Sequence, residues 1–130
     1  MSRIVVISDT HMPRRGRKLP GAVLAALEGA DLIMHAGDIN EYSVISMLEE
    51  YAPVEAVAGN TDAPLLWKTL GRKKVICFEG INIGIIHGDG KTGKTMDRAV
   101  KAFAGNSVSC VVFGHSHIPV NQVMEGVLYF

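Results

Sequence analysis

The chain has 130 residues, 48% of them hydrophobic, and its 13 basic residues balance its 13 acidic residues. This length is typical of one domain, and this apolar content supports a buried core, so the composition excludes a disordered chain. The balanced charge removes the main argument for a protein that binds nucleic acid or a membrane surface. No stretch approaches the ~18 apolar residues of a membrane span, and the first residues, MSRIVVISDTH, lack the pattern of a signal peptide.

The cysteines indicate the cellular compartment. Cys77 and Cys110 both lie inside apolar runs, KVICFE and VSCVVF, so we expect two buried, unpaired thiols. That pattern fits the cytoplasm better than a disulfide framework does. We expect one domain over residues 1–130. The chain ends on the apolar run GVLYF, either as a final strand or because a longer natural chain is truncated there.

Apolar runs and helical periodicity alternate along the chain. Strands are predicted over 4–8, 31–36, 54–58, 74–79, 81–87 and 109–113, and helices over 20–30, 41–51 and 95–104. Asn40 is the predicted N-cap of the second helix, which carries Val44, Ile45, Leu48 and Tyr51 on one apolar face. Gly105 is the predicted end of the third. The run LLWKTL is read as a core helix or a partner-facing one.

Two hairpins interrupt this alternation, closed at Glu79-Gly80 and at Glu125-Gly126. The chain is therefore predicted to be α/β, with parallel strands early and antiparallel ribbons later, in one mixed sheet or two packed sheets. A basic cluster, Arg14, Arg15, Arg17 and Lys18, is interpreted as a solvated loop, with a substrate-facing patch as the alternative.

Residues 88–95 read GDGKTGKT, which matches the phosphate-cradling P-loop pattern. Lys94 and Thr95 stand in the places of its lysine and its magnesium-binding hydroxyl. The alternative interpretation treats the stretch as a glycine-rich loop at the start of a helix and assigns the functional role to His87, just before it. We favour this alternative, because a P-loop leaves the residues described next without explanation.

Good metal ligands follow five of the predicted strands, each directly after a small residue or a short turn. They are Asp9 and His11, Asp38, Asn60, His87, and His115 and His117. Because ligand sites of α/β sheets gather at the carboxyl ends of the strands, these side chains are expected to share one small volume. Oxygen and nitrogen ligands without a thiolate suit Mn²⁺, Ni²⁺, Fe, Co²⁺, Zn²⁺ or Mg²⁺, and seven ligands suit two ions that share a carboxylate. His35 is predicted to pack beside this site without binding metal.

The motifs D-T-H, G-D, G-N, H-G and G-H-S-H, in this order, resemble those of the calcineurin-like metallophosphoesterases. Their short spacing resembles the small bacterial and archaeal phosphodiesterase branch. The resemblance implies a four-layer α-β-β-α sandwich of two mixed β-sheets flanked by helices, with a dimetal centre above the sheets. It implies one metal ion held by Asp9, His11, Asp38 and His117, and a second held by Asp38, Asn60, His87 and His115. In that assignment Asp38 bridges the two ions.

The resemblance also implies the reaction. The expected activity is that of a phosphodiesterase, in which a metal-bridging hydroxide attacks phosphorus in line, with Asp38, Asn60, His87 and His115 as the catalytic residues. Mn²⁺ is the first choice of cofactor, and the expected partner is a small phosphoester, with nucleic acid only as a substrate. Membrane association is not expected, and a homo-oligomer is left open. The alternative in another functional class is an interaction scaffold, because the retromer scaffold subunit resembles these enzymes but has lost ligands.

The sequence departs from the family pattern at three points. Relatives often read H-G-H where this chain has His87-Gly88-Asp89, so the extra acid is expected to weaken anion binding or to change substrate choice. Thr61 follows Asn60, where the protein-phosphatase members carry a histidine that protonates the leaving group. The N-P-G-S motif that follows the last strand in relatives does not occur in residues 1–130.

Overall fold

The computed structural model describes residues 2–12 and 18–130, which form eight strands and four helices. In chain order these are β1 (Ile4–Ile7), α1 (Gly21–Leu27), β2 (Leu32–His35), α2 (Tyr42–Glu49), β3 (Val54–Ala56), α3 (Pro64–Leu70), β4 (Lys73–Phe78), β5 (Ile81–Ile86), α4 (Thr95–Ala102), β6 (Cys110–Val112), β7 (Gln122–Met124) and β8 (Val127–Tyr129). Arg14, Arg15 and Arg17 of the predicted basic cluster lie outside the described residues. Within the described ranges, no helix has the length and apolarity needed to cross a membrane.

The strands form two sheets. The first contains β1, β2 and β3 in that order, all parallel. The second has the order β4-β5-β6-β8-β7, with antiparallel pairs at its two ends and parallel pairs in the middle. Of the two predicted arrangements, two packed sheets is the correct one.

Three apolar clusters separate four layers of structure. Alternation along β1 and β2 sends every second side chain to the opposite face of the first sheet. Val5 and Ile33 pack with residues of α1 and α2 on the outer face, whereas Val6 and Met34 pack against the second sheet. On the far side of the second sheet, Ala99 and Phe103 cover Val111, Phe113 and Tyr129. This confirms the α-β-β-α sandwich.

Both predicted hairpins are confirmed. Each has a two-residue loop in which both residues have positive φ, 50° and 80° at Glu79 and Gly80 and 49° and 80° at Glu125 and Gly126. Two such residues are what a type I′ turn requires, and its twist matches that of the flanking strands.

Four local predictions are wrong. Glu41, not Asn40, is the N-cap of α2; Asn40 has φ 78° and donates its N–H to Asp62. Tyr51 lies beyond the end of α2 and is 37% exposed. Phe103, not Gly105, caps α4. Cys77 is exposed, because alternate residues of β4 face solvent at the edge of the sheet, and Cys110 is only partly buried, although both are free thiols as predicted.

Candidate metal centre

The predicted ligands lie at the carboxyl ends of five strands from both sheets. Asp9 follows β1, Asp38 follows β2 and Asn60 follows β3, whereas His87 follows β5 and the His115–His117 segment follows β6. The two sheets meet at Gly114, where an added side chain would lie 2.6 Å from Ser8 Oγ and 2.7 Å from Asp9 Oδ2. Only glycine permits this approach.

Six of the seven side chains form two groups with metal-binding geometry. In each group, one potential ligand atom from every residue lies within 4.8 Å of the others. The first group contains Asp9, His11 and His117, with 3.3 Å between His117 Nε2 and Asp9 Oδ1. The second contains Asp38, His87 and His115, with 3.1 Å between His87 Nε2 and Asp38 Oδ2.

Asp38 reaches both groups with a single oxygen. Its Oδ1 accepts a hydrogen bond from the Thr61 N–H at 3.0 Å. Its Oδ2 lies 3.1 Å from His87 Nε2 in one group and 3.6 Å from His11 Nε2 in the other. Asp9 Oδ1 also comes within 3.7 Å of His87 Nε2, so both carboxylates lie where the two sets of ligands meet. Asp38 Oδ2 is the closer of the two to His87 and is our choice for the bridging residue.

The backbone that carries Asn60 is held against Asp38. Its neighbour Gly59 touches Asp38 so closely that an added Cβ would lie 2.2 Å from Asp38 Oδ1, and its other neighbour, Thr61, donates to the same oxygen. The backbone on both sides of Asn60 is thus fixed to Asp38. A metal-binding role for its amide oxygen stays a prediction.

The backbone at the site adopts a conformation that non-glycine residues rarely take. Five of the seven predicted ligands have positive φ: Asp9 (54°), His11 (47°), Asp38 (59°), His115 (69°) and His117 (59°). Each such residue costs about 1–3 kcal/mol, which the surrounding structure must offset. Hydrogen bonds between the loops contribute, from Asp9 N to Gly37 O at 2.9 Å and from His11 N to Asp38 O at 3.0 Å.

The donor atoms fit a bound cation. Asp9 Oδ2 accepts hydrogen bonds from Ser8 Oγ and from the His115 N–H. Asp9 Oδ1 and His11 Nε2 are buried, and neither has a hydrogen-bond partner among the described residues. Buried polar atoms without partners are costly in a native protein, and a cation between them satisfies both.

The charge of Asp38 and the tautomer of His87 also suit the binding of a cation. Burial raises the pKa of Asp38, but the Thr61 N–H and the neighbouring His87 outweigh burial and hold the pKa below its ordinary value. His87 Nδ1 lies 2.7 Å from Ala36 O, and a carbonyl only accepts, so Nδ1 carries the proton. The lone pair of His87 Nε2 therefore faces Asp38 and His115, as a ligand nitrogen should.

His35 packs beside the site as predicted. Its Nδ1 accepts from the Gly37 N–H at 3.1 Å, so its Nε2–H donates to Thr10 Oγ1, also at 3.1 Å. Burial lowers the pKa of His35 to about 4, which keeps the ring neutral. Both nitrogens are used, and His35 ties the Asp9–His11 loop to the Asp38 loop.

Asp62 is an organising residue that the sequence analysis missed. Its buried carboxylate accepts from the N–H groups of Asp38 (3.0 Å), Asn40 (2.7 Å) and Gly59 (2.8 Å). The signal was available, because an aspartate close to a Gly-Asn pair often bonds nearby backbone. Its partners on the Asp38 loop, however, are more than twenty residues away in sequence.

The glycine-rich loop is not a phosphate cradle. The guanidinium of Arg98 lies within it and donates to the carbonyl oxygens of Gly88 (2.7 Å), Thr92 (3.0 Å) and Gly93 (2.7 Å). A P-loop needs N–H groups directed at an anion, whereas these carbonyls are directed at a cation. The loop therefore serves to hold the segment after His87.

Asp89 does not add an unpaired negative charge to the site. Its carboxylate lies 2.6 Å from Arg72 Nη2. This ion pair offsets the charge of Asp89, and its effect on anion binding or substrate choice stays a prediction.

Comparison with known proteins identifies the family of this chain. The calcineurin-like phosphoesterase superfamily domain matches residues 2–130. The chain belongs to this superfamily. A probable metallophosphoesterase from Methanothermobacter thermautotrophicus is 35% identical over 129 residues, and another from Methanocaldococcus jannaschii is 37% identical over 118 residues. The matches cover 96% and 89% of this chain but 72% and 59% of those two proteins.

Solved structures share the fold. Vps29 from Chaetomium thermophilum superposes with a TM-score of 0.84 at 18% identity, covering 99% of this chain and 69% of that one. A structure described as a novel archaeal phosphodiesterase has a TM-score of 0.73 at 22% identity, covering 97% of this chain and 80% of that one. At these identities the likeness shows the fold alone.

Proposed function

We propose that this chain is a phosphodiesterase that depends on two divalent cations, with Mn²⁺ as the first choice. The observation that carries the proposal is the position of Asp38 Oδ2 between two groups of ligand atoms. Three further features support it: the unpartnered atoms of Asp9 and His11, the ionised Asp38, and membership of a phosphoesterase superfamily.

The residues divide into three roles. Asp9, His11 and His117 would hold one cation, while Asn60, His87 and His115 would hold the other, and Asp38 would join both. Bound cations of this kind supply a nucleophile at neutral pH and stabilise charge on the phosphoryl oxygens. Asp38 would fix the separation of the two cations, and a neutral amide ligand, Asn60, would limit the negative charge at the second position. This limit favours the approach of an anionic substrate.

Substrate preference follows from the residue after Asn60. Thr61 stands where a histidine would protonate the leaving group, and its side chain donates to Asn40 Oδ1 at 3.4 Å. We expect small diesters with acidic leaving groups, such as aryl phosphodiesters, to react faster than alkyl monoesters. Equal turnover of the two classes, regardless of leaving-group pKa, would contradict this expectation.

We place the enzyme in the cytoplasm, a location that the free thiols Cys77 and Cys110 favour.

The test combines metal content with turnover. Purified protein is analysed for metal and assayed with bis-p-nitrophenyl phosphate, with and without added Mn²⁺. We expect Mn²⁺-dependent hydrolysis that falls below detection in Asp38→Asn and His87→Ala. Lys74→Gln is the matched control, because Lys74 pairs at 3.8 Å with Glu55, which is not a predicted ligand, and its variant should retain full activity.

The scaffold alternative makes the opposite prediction. A protein on the same fold that serves only as an interaction surface would remain inert after Mn²⁺ addition, whether or not it binds the metal. The present chain keeps every ligand position and brings six of the seven side chains together, so we favour the enzyme.

A further inference from the structure

Arg72 connects two loops that carry predicted ligands. Its Nε donates to Ala58 O at 3.1 Å, in the loop after β3, and its Nη2 donates to Asp89 Oδ1 at 2.6 Å, in the loop after β5. Its guanidinium lies 4.5 Å from the centroid of the Trp67 ring. Trp67 in turn donates its indole N–H to Gly59 O at 2.9 Å.

These contacts all fall beside the ligands of one cation. Ala58 and Gly59 directly precede Asn60, and Asp89 lies two residues after His87. Asn60 and His87 are both assigned to the second group, together with Asp38 and His115. Within residues 2–12 and 18–130, the side-chain contacts of Arg72 and Trp67 do not involve Asp9, His11 or His117, which would hold the other cation.

We propose that Arg72 is a positioning residue for the cation held by Asp38, Asn60, His87 and His115, and for that cation alone. This inference rests on the proposed function. By bonding both loops at once, Arg72 sets the separation of Asn60 from His87. The Trp67 ring stacks against the Arg72 guanidinium, and its indole N–H donates to the carbonyl oxygen of Gly59.

The chemistry of arginine suits this role. The planar guanidinium donates in two directions while its face stacks on an aromatic ring, and the ammonium of lysine cannot reproduce that geometry. Electrostatic attraction is the smaller part of the effect, because the Arg72 and Asp89 side chains are 37% and 25% exposed. The opposite side of the His87 loop is held by Arg98, which donates to Gly88 O at 2.7 Å. The two arginines thus bond two successive residues of that loop, Arg98 the carbonyl of Gly88 and Arg72 the carboxylate of Asp89.

The test measures Mn²⁺ binding by calorimetry in three proteins: wild type, Arg72→Lys and the control Lys74→Gln. We expect Arg72→Lys to weaken one of two Mn²⁺ binding steps by about 10–100-fold, the usual effect of losing a residue that orients metal ligands. The other step should change less than about threefold. Lys74→Gln should leave both steps unchanged, because the ion pair of Lys74 is with Glu55, which is neither a predicted ligand nor a partner of Arg72.

Two backgrounds identify the affected step. In His117→Ala, which removes a ligand of the first group, Arg72→Lys should weaken the remaining Mn²⁺. In His115→Ala, which removes a ligand of the second group, Arg72→Lys should leave the remaining Mn²⁺ unaffected. Asp89→Ala is a second variant that keeps the arginine and removes one of its hydrogen-bond acceptors, and it should weaken the same step to a smaller degree.

Trp67 provides a readout in the absence of metal. It is the sole tryptophan, so its emission reports the indole that contacts Arg72 and Gly59. Arg72→Lys should shift this emission in metal-free protein, while the thermal unfolding midpoint shows that the variant is folded.

The outcomes separate the two proposals. Wild-type protein that binds no Mn²⁺ would overturn the metal centre and this inference with it. If wild-type protein binds two ions and Arg72→Lys binds them equally well, the role of Arg72 alone would be overturned. The same holds if Arg72→Lys weakens both binding steps in parallel.

Discussion

Gly59 is the position at which the smallest change should disturb the centre most. An alanine Cβ there would lie 2.2 Å from Asp38 Oδ1, 2.5 Å from Asp38 N and 2.9 Å from Asp38 Cγ. Such contacts essentially never fall below 3.0 Å, so the Asp38 oxygen would have to move by about 0.8 Å. The backbone nitrogen must move as well, so a change of side-chain rotamer alone cannot relieve the clash.

The size of the effect follows from that displacement. Overpacking of this kind costs about 1–3 kcal/mol of unfolding free energy. A catalytic group displaced by about 1 Å costs on the order of 100-fold in rate. We therefore expect Gly59→Ala to fold with reduced stability, to bind Mn²⁺ more weakly and to lose about 100-fold in kcat/KM.

The assay needs a glycine that differs only in its surroundings. Gly21→Ala is that control, because an added Cβ at Gly21 meets no atom within 4 Å and Gly21 has no positive φ. Urea unfolding, Mn²⁺ calorimetry and turnover of bis-p-nitrophenyl phosphate are measured for both variants. A Gly59→Ala variant that matches Gly21→Ala in all three would refute the claim that Gly59 positions Asp38.

Three further predictions concern the residues around the centre. Asp62→Asn should lower the unfolding free energy by about 1.5–3 kcal/mol in urea denaturation, because a charged acceptor of three N–H groups is lost, and a change below about 0.5 kcal/mol would contradict this. The pKa of His35 is about 4 in the folded protein and 6.5 ordinarily. As pH falls through this range, the unfolded chain therefore binds a proton that the folded chain does not bind, and the folded state loses stability. Between about pH 6.5 and 4, metal-free wild type should therefore lose on the order of 3 kcal/mol more unfolding free energy than His35→Gln loses. If the urea midpoints of the two proteins change in parallel with pH, this prediction is wrong. Lys94→Ala should leave turnover intact, and calorimetry should detect no ATP binding to the wild type; tight ATP binding that the variant abolishes would restore the P-loop.

The sequence predicted the features that follow from periodicity and from strand ends. Apolar runs located six of the eight strands. The Glu79-Gly80 and Glu125-Gly126 pairs located the hairpins, because a type I′ turn places strong demands on two adjacent residues. The meeting of Asp9, Asp38 and His87 followed from the rule that ligand sites lie at the carboxyl ends of parallel strands.

The contacts that organise the centre could not be predicted in this way. Asp62 bonds the Asp38 loop, Arg98 fills the glycine-rich loop, and Arg72 joins Ala58 to Asp89. Each is a bond from a side chain to a residue that lies elsewhere in the chain, and no local pattern records such a pairing. The wrong cap at Asn40 has the same origin, because Asp62 holds its backbone N–H in a loop where Asn40 has φ 78°, outside the extended region that an N-cap residue adopts. Glu41, which is extended, begins the helix instead.

The central claim is that one oxygen of Asp38 joins two cations, and electron paramagnetic resonance of the Mn²⁺-loaded protein tests it most directly. Two Mn²⁺ ions that share a carboxylate lie ~3.5–4 Å apart, close enough for their spins to couple. We predict two Mn²⁺ per chain with a coupled spectrum, and loss of the coupling in Asp38→Asn. A single ion, or two ions with the spectrum of isolated Mn²⁺, would contradict the account.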